Sequence, residues 1–198
     1  MGAVSRALGG AATFSYGLLS LLYMFTLMAF RDRAFFAGPP KDERKLLPII
    51  RKKFWSLSER PLGLIHRFVV LPSSTKLHYM VRPPGTQAKH LVIFLHGFPD
   101  SWLVWKRLLS STHISDATLV AVDLPDYGGS DSLPNYGPDQ VLETICLFII
   151  RMREHYGSDE GKVLVVSHDW GGVIAARLAA EAPQVADHFV IANTLIVR

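Results

Sequence analysis

The sequence predicts an α/β domain built on a mostly parallel sheet flanked by helices, preceded by one N-terminal transmembrane helix. Three observations predict it. Apolar runs at 91–95, 118–122, 162–166 and 189–192 read as strands buried on both faces. Helical stretches at 102–110, 138–156 and 171–181 separate those strands, and strand–helix alternation is the pattern of a parallel sheet. From Ala7 to Phe30 no residue is charged.

That uncharged run is 24 residues long and rich in Leu, Phe and Met. A helix rises ~1.5 Å per residue, so about 20 residues cross the hydrocarbon core of a bilayer. A cleaved signal peptide would have a shorter apolar region and a small-residue cleavage site, and Ala29-Phe30-Arg31-Asp32 offers a poor one. Residues 1–36 are therefore read as an uncleaved single-pass anchor. Residues 37–64 follow as a basic juxtamembrane linker or amphipathic helix, set off by Gly38-Pro39-Pro40. Between residues 31 and 60 nine Lys/Arg stand against four acids, whereas the whole chain carries only +4. The basic balance thus belongs to the membrane flank, as solvated charge or as a contact for anionic headgroups. The positive-inside rule places the following domain in the cytosol, with the endoplasmic reticulum as the expected membrane. Aromatic residues do not interleave with the basic ones as a base-stacking surface requires, so nucleic acid is not an expected partner. The single cysteine, Cys146, permits no intrachain disulfide, and it reads as a structural thiol on an apolar helix face.

Residues 65–198 hold the catalytic-looking part. Residues 67–71 and 76–81 read as two strands joined by the turn Pro72-Ser73-Ser74. The buried strands come next, and loops with chemistry-bearing residues follow three of their carboxyl ends, where parallel sheets collect their functional groups. The first is His96-Gly97-Phe98-Pro99-Asp100-Ser101-Trp102, the second Asp123-Leu124-Pro125-Asp126-Tyr127-Gly128-Gly129-Ser130-Asp131, and the third Ser167-His168-Asp169-Trp170-Gly171-Gly172.

The third loop has the form of a nucleophile elbow, with a small residue two before the apex and Gly two after it. Its apex is Asp169. A carboxylate at a helix N-terminus is favoured by the helix dipole, and it is a competent nucleophile when ionised and aimed. The bland alternative is an N-cap Asp in a non-catalytic fold. Ser167 precedes the apex and is a poor candidate for a serine nucleophile. Asp123 and Ser130 read as structural loop residues, and Trp102, Trp105 and Trp170 as packing residues unless the pocket claims them.

Together these three loops resemble those of the epoxide hydrolases of the α/β-hydrolase family, and the N-terminal anchor is similar to that of their membrane-bound members. The resemblance covers roughly residues 65–197 and implies a partial α/β-hydrolase fold. It implies Asp169 as the nucleophile that forms an alkyl-enzyme ester, with the N–H groups of Phe98 and Trp170 as the oxyanion hole. It further implies a cis peptide before Pro99, a pocket lined by His96, Pro99, Trp102 and His168, no cofactor and no metal. The implied substrate is a small-molecule epoxide, and the membrane setting suggests a lipid-derived one. Two positions depart from the family's pattern: Ser167 stands where Gly is common, and Pro125-Asp126 replaces Arg-Gly.

In this family a lid with two tyrosines, a catalytic acid and a catalytic His follow the fourth buried strand. The reading therefore expects the chain to be an N-terminal half that lacks turnover by itself. Two alternatives stay open. Haloalkane dehalogenases share the Asp nucleophile and a following Trp, though they usually carry Asn where Phe98 stands. A non-catalytic, truncated, membrane-anchored product is the other.

Overall fold

The computed structural model describes residues 14–27, 45, 61–83, 85 and 88–194. The chain divides into two compact units, Met1–Lys52 and Lys53–Arg198. In the first, residues 14–27 form a helix (α1) whose apolar side chains, Leu18 to Phe25 among them, are largely exposed. Among the described residues no helix is long and apolar enough to cross a membrane. The rest of the expected anchor over 1–36 and nearly all of the basic linker over 37–64 lie outside the described residues. Of that linker's last residues, Leu64 is fully buried and packs with the core of the second unit.

The second unit is a six-stranded sheet in the order β1-β2-β4-β3-β5-β6. The strands are β1 (Ile65–Val70), β2 (Lys76–Arg82), β3 (His90–Leu95), β4 (Ala117–Val122), β5 (Val163–His168) and β6 (His188–Ala192). The β1–β2 hairpin and the β2–β4 pair are antiparallel, and the β4–β3–β5–β6 block is parallel. The helices are α2 (Lys106–Leu109), which continues a 3-10 turn over Trp102–Trp105, then α3 (Pro138–Tyr156) and α4 (Trp170–Glu181). The stretch read as one helix over 102–110 is thus a tight turn plus a single α-turn.

Side-chain alternation sorts the core into two layers. Leu91, Ile93 and Leu95 of β3 face one side, with Val120 and Val122 of β4 and Val163 and Val165 of β5. Against them lie Ile145, Phe148, Ile149 and Met152, spaced along one face of α3, and Ala175 and Leu178 of α4. Val92 and Phe94 point the other way and meet Met80, Leu119, Ala121, Trp102, Trp105 and Leu109. Proline at the start of α3 and Gly157 just past its end bound that helix. Cys146 is only half buried on it.

Register is what makes the site. Leu95 lies opposite Val122 on one side and Ser167 on the other, and Ser167 opposite Ile191. The chain therefore leaves β3, β4, β5 and β6 along one edge of the sheet, and the three marked loops start side by side.

A buried polar network locks the loop after β4. Asp123 is fully buried. Its Oδ1 accepts the Trp102 N–H at 2.8 Å, and its Oδ2 accepts the Gly129 N–H at 3.1 Å and His78 Nδ1–H at 2.7 Å. His66 Nδ1 lies 2.9 Å from His78 Nε2, so the chain of contacts runs from β1 through β2 to β4. The Ser130 hydroxyl donates to the Asp123 carbonyl at 2.6 Å and accepts the His78 N–H at 2.9 Å. Replacing Asp123 with Ala strands two buried donors and a half-buried one, so we expect a loss of about 3–5 kcal/mol in urea unfolding, and a loss below about 1 kcal/mol would show that the network is not structural.

Candidate active site

Asp169 sits between β5 and α4 with φ 52° and ψ −122°, a backbone conformation that L-residues seldom adopt. The sharp turn is possible because its neighbours lack side chains at the points of contact. A Cβ on Gly97 would stand 2.4 Å from the Asp169 Cβ, and one on Gly171 would stand 2.5 Å from the carbonyl oxygens of Leu95 and His96. A Cβ on Gly172 would collide with Thr194, just past β6.

The turn presents the Asp169 carboxylate to backbone donors. The Phe98 N–H donates to Oδ2 at 2.9 Å. That bond, a second one from the Trp170 N–H and the nearby His168 hold the carboxyl below the usual aspartate range, so it is an anion at neutral pH. The Asp169 N–H is itself tied to the carbonyl of Ala192 at the end of β6, at 3.2 Å. The peptide between Phe98 and Pro99 is cis, as the resemblance implies. The side chain of Phe98 is exposed, and Trp170 is 60% exposed beside the nucleophile position.

An open cavity of about 560 Å³ begins at Gly97 and Trp170 and extends over the loop after β4. Leu124, Pro125, Tyr127, Val141 and Ile174 give it apolar walls, and Asp126 and Tyr136 supply its polar groups. Leu124, Pro125 and Tyr127 lie in the second marked loop but were not singled out as lining residues, and Tyr136, Val141 and Ile174 carry no motif of their own. Only the register of β4 beside β3, and the packing of α3 and α4, bring them there.

The residues expected to line the pocket are placed differently from one another. Pro99 is exposed in the loop after β3. His168 is partly buried, with Nε2 3.4 Å from the Asn193 amide and Nδ1 buried without a partner. Trp102 is 2% exposed, packed edge-on to His66 within the second core layer and away from the cavity. The N–H of Trp102, not its ring, serves the site region, through Asp123. His96 is fully buried as well. Its Nδ1–H donates to the Gly97 carbonyl at 2.8 Å, and its Nε2 accepts the Leu124 N–H at 2.9 Å. Both partners require the neutral ring, and burial accordingly holds His96 below the usual imidazole value. It pins the loops after β3 and β4 to each other and packs edge-on to Tyr127, which lines the cavity. Ser167 is buried, and its hydroxyl donates to the Val190 carbonyl at 3.0 Å, which leaves it no nucleophilic role.

Two outcomes follow from this geometry. Gly97→Ala should displace Asp169 and destabilise the domain by about 1–3 kcal/mol; thermal unfolding at wild-type midpoint would show that the loop accommodates the methyl group. His66, lowered mainly by burial and then by His78, and His96, lowered by burial, both stay neutral in the folded chain. The unfolded chain binds their protons first, so their contribution is complete above about pH 6.5 and is lost as pH falls below it. The melting temperature should therefore drop on going to about pH 5, and His96→Gln should flatten that slope while lowering the midpoint at neutral pH.

Comparison with known proteins agrees with this architecture. The family described as alpha/beta hydrolase fold matches residues 90–197. The chain is 32% identical over 134 residues to epoxide hydrolase 1 of Caenorhabditis elegans, a match covering 66% of this chain and 31% of that protein. It is 31% identical over 138 residues to human epoxide hydrolase 4, covering 69% of this chain and 36% of that one. The crystal structure of an epoxide hydrolase from Vigna radiata superposes with a TM-score of 0.55 at 26% identity, over 65% of this chain and 38% of that one. The chain thus spans about a third of the length of the curated relatives it matches. With more than half of its residues matched by the family and the elbow, loops and strand order in place, the chain belongs to the alpha/beta hydrolase fold family.

Proposed function

We propose that this domain carries epoxide hydrolase chemistry, with Asp169 as the nucleophile. The observation that carries the reading is the Asp169 carboxylate at the elbow apex, ionised and held by the Phe98 N–H at 2.9 Å. Relatives named epoxide hydrolases support it. In the first step an Asp169 oxygen attacks a ring carbon. The carbon–oxygen bond of the epoxide breaks, an ester forms, and the departing oxygen takes a proton from an acid. In the second step an activated water attacks the ester carbonyl, the diol leaves and the carboxylate is restored. The Phe98 N–H, already on the carboxylate, and the Trp170 N–H that follows the apex stabilise the oxyanion of that second step. Those two groups, and Pro99 and His168 beside them, are the proposed site residues; the buried His96 and Trp102 support it from behind.

We further propose that residues 7–30 anchor the chain in a membrane, that of the endoplasmic reticulum, with the hydrolase domain in the cytosol. The uncharged run of 24 residues and the exposed apolar side chains of α1 support this. Protease added to sealed microsomes should degrade the domain, and full protection without detergent would reverse the orientation.

The chemistry is tested by incubating the chain with a reactive epoxide and weighing the intact protein. A gain of one epoxide mass, mapped to Asp169 and absent from Asp169→Ala, is the expected result. No adduct, or one that persists in Asp169→Ala, would sink the assignment. Halide release from a haloalkane without any epoxide adduct would move the site to dehalogenase chemistry.

A further inference from the structure

The cavity beside Asp169 has a charge pattern that its apolar walls do not require. Its one charged lining side chain is Asp126, and no Lys, Arg or His lines it among the described residues. Asp126 is exposed and takes φ 70° at the tip of the loop after β4. The tip is closed by the Asp126 N–H on the Asp131 carbonyl at 3.2 Å and the Tyr127 N–H on the Leu124 carbonyl at 2.9 Å.

The side chain has hydroxyl neighbours. The Tyr136 oxygen accepts the Leu133 N–H at 3.1 Å, which directs the phenol O–H toward another acceptor. Hydrogen bonding from the Ser132 hydroxyl first, and then from the Tyr136 phenol, favours the ionised Asp126 carboxylate. Both hydrogen bonds hold the Asp126 carboxyl below its usual range, so it stays ionised. Tyr136 lines the same cavity. Two cations on neighbouring elements are already answered by acids. Lys76 pairs with Asp131 at 3.8 Å, and Arg177 of α4 pairs with Asp139 and Glu181 at 3.0 and 2.7 Å. A molecule bound there therefore meets the Asp126 carboxylate on the cavity wall, and among the described residues no cation lines the cavity to balance it.

We propose that Asp126, which shares the cavity wall with Tyr136, is a specificity-determining charge that selects neutral or cationic epoxides against epoxides bearing a carboxylate. The proposal rests on the epoxide reading above for the class of molecule, and on the cavity alone for the charge selection. Partial solvent exposure limits the size of the effect, so a discrimination of about three- to tenfold is expected at low ionic strength.

The test reads binding and not turnover. Three matched aliphatic 1,2-diols, ending in a methyl ester, a carboxylate or an ammonium group, are titrated into the full chain. Dissociation constants come from the shift of the Trp170 indole N–H resonance, assigned by its absence in Trp170→Phe. The ammonium diol should bind tightest and the carboxylate diol weakest. The carboxylate-to-ester ratio should fall toward unity in Asp126→Asn, fall partway in Tyr136→Phe, and shrink in high salt. A carboxylate that binds as well as the ester, a ratio unchanged in Asp126→Asn, or no shift with any of the three diols overturns the proposal. Failure of the epoxide reading would show only in the adduct experiment with Asp169→Ala, because unreactive diols need no nucleophile.

Discussion

The close approach of two turns governs the site. The loop after β3 and the elbow after β5 meet with a separation that excludes a single methyl group, at Gly97 against Asp169 and at Gly171 against the carbonyls of Leu95 and His96. Only that approach brings the Phe98 N–H within 2.9 Å of the Asp169 carboxylate. The elbow's strained backbone persists because its surroundings determine it on both sides, with the Asp169 N–H tied to Ala192 and Ser167 tied to Val190.

The sheet supplies the rigidity behind this contact. Four adjacent parallel strands end in register, so small side-chain errors in one layer do not move one loop relative to the next. The two apolar layers clamp β3 and β5 from both faces. What apolar packing cannot fix is the orientation of the loops, and polar groups do that work. Neutral His96 bridges the first and second loops, and Asp123 gathers donors from the turn before α2, from β2 and from its own loop. Buried polar groups of this kind are costly unless every partner is present, so they tie the loops to one arrangement.

This division explains why residues with striking sequence contexts take supporting roles. Trp102 and His96 follow a strand end in the first marked loop, yet both face inward. Their value lies in backbone or ring nitrogens that hold neighbours, while the cavity walls come from Leu124, Tyr127, Val141 and Ile174. The cavity walls are thus largely apolar, with Asp126 their one charged side chain.

The amino-acid sequence by itself determined the alternation of strands and helices, because apolar runs of strand length and a 3.6-residue spacing on α3 leave little choice of element. It also marked the elbow, because a small residue and Gly around a central Asp are what such a turn tolerates. It could not decide which residues share the cavity or which face a marked side chain takes. The placement of β4 between β2 and β3 puts the Leu124–Tyr127 segment against Trp170, and no local pattern encodes that order. A uniformly apolar strand reads the same whichever way its side chains point, so the inward turn of Trp102 and the burial of His96 were decided only when the second core layer and the Leu124 N–H claimed them.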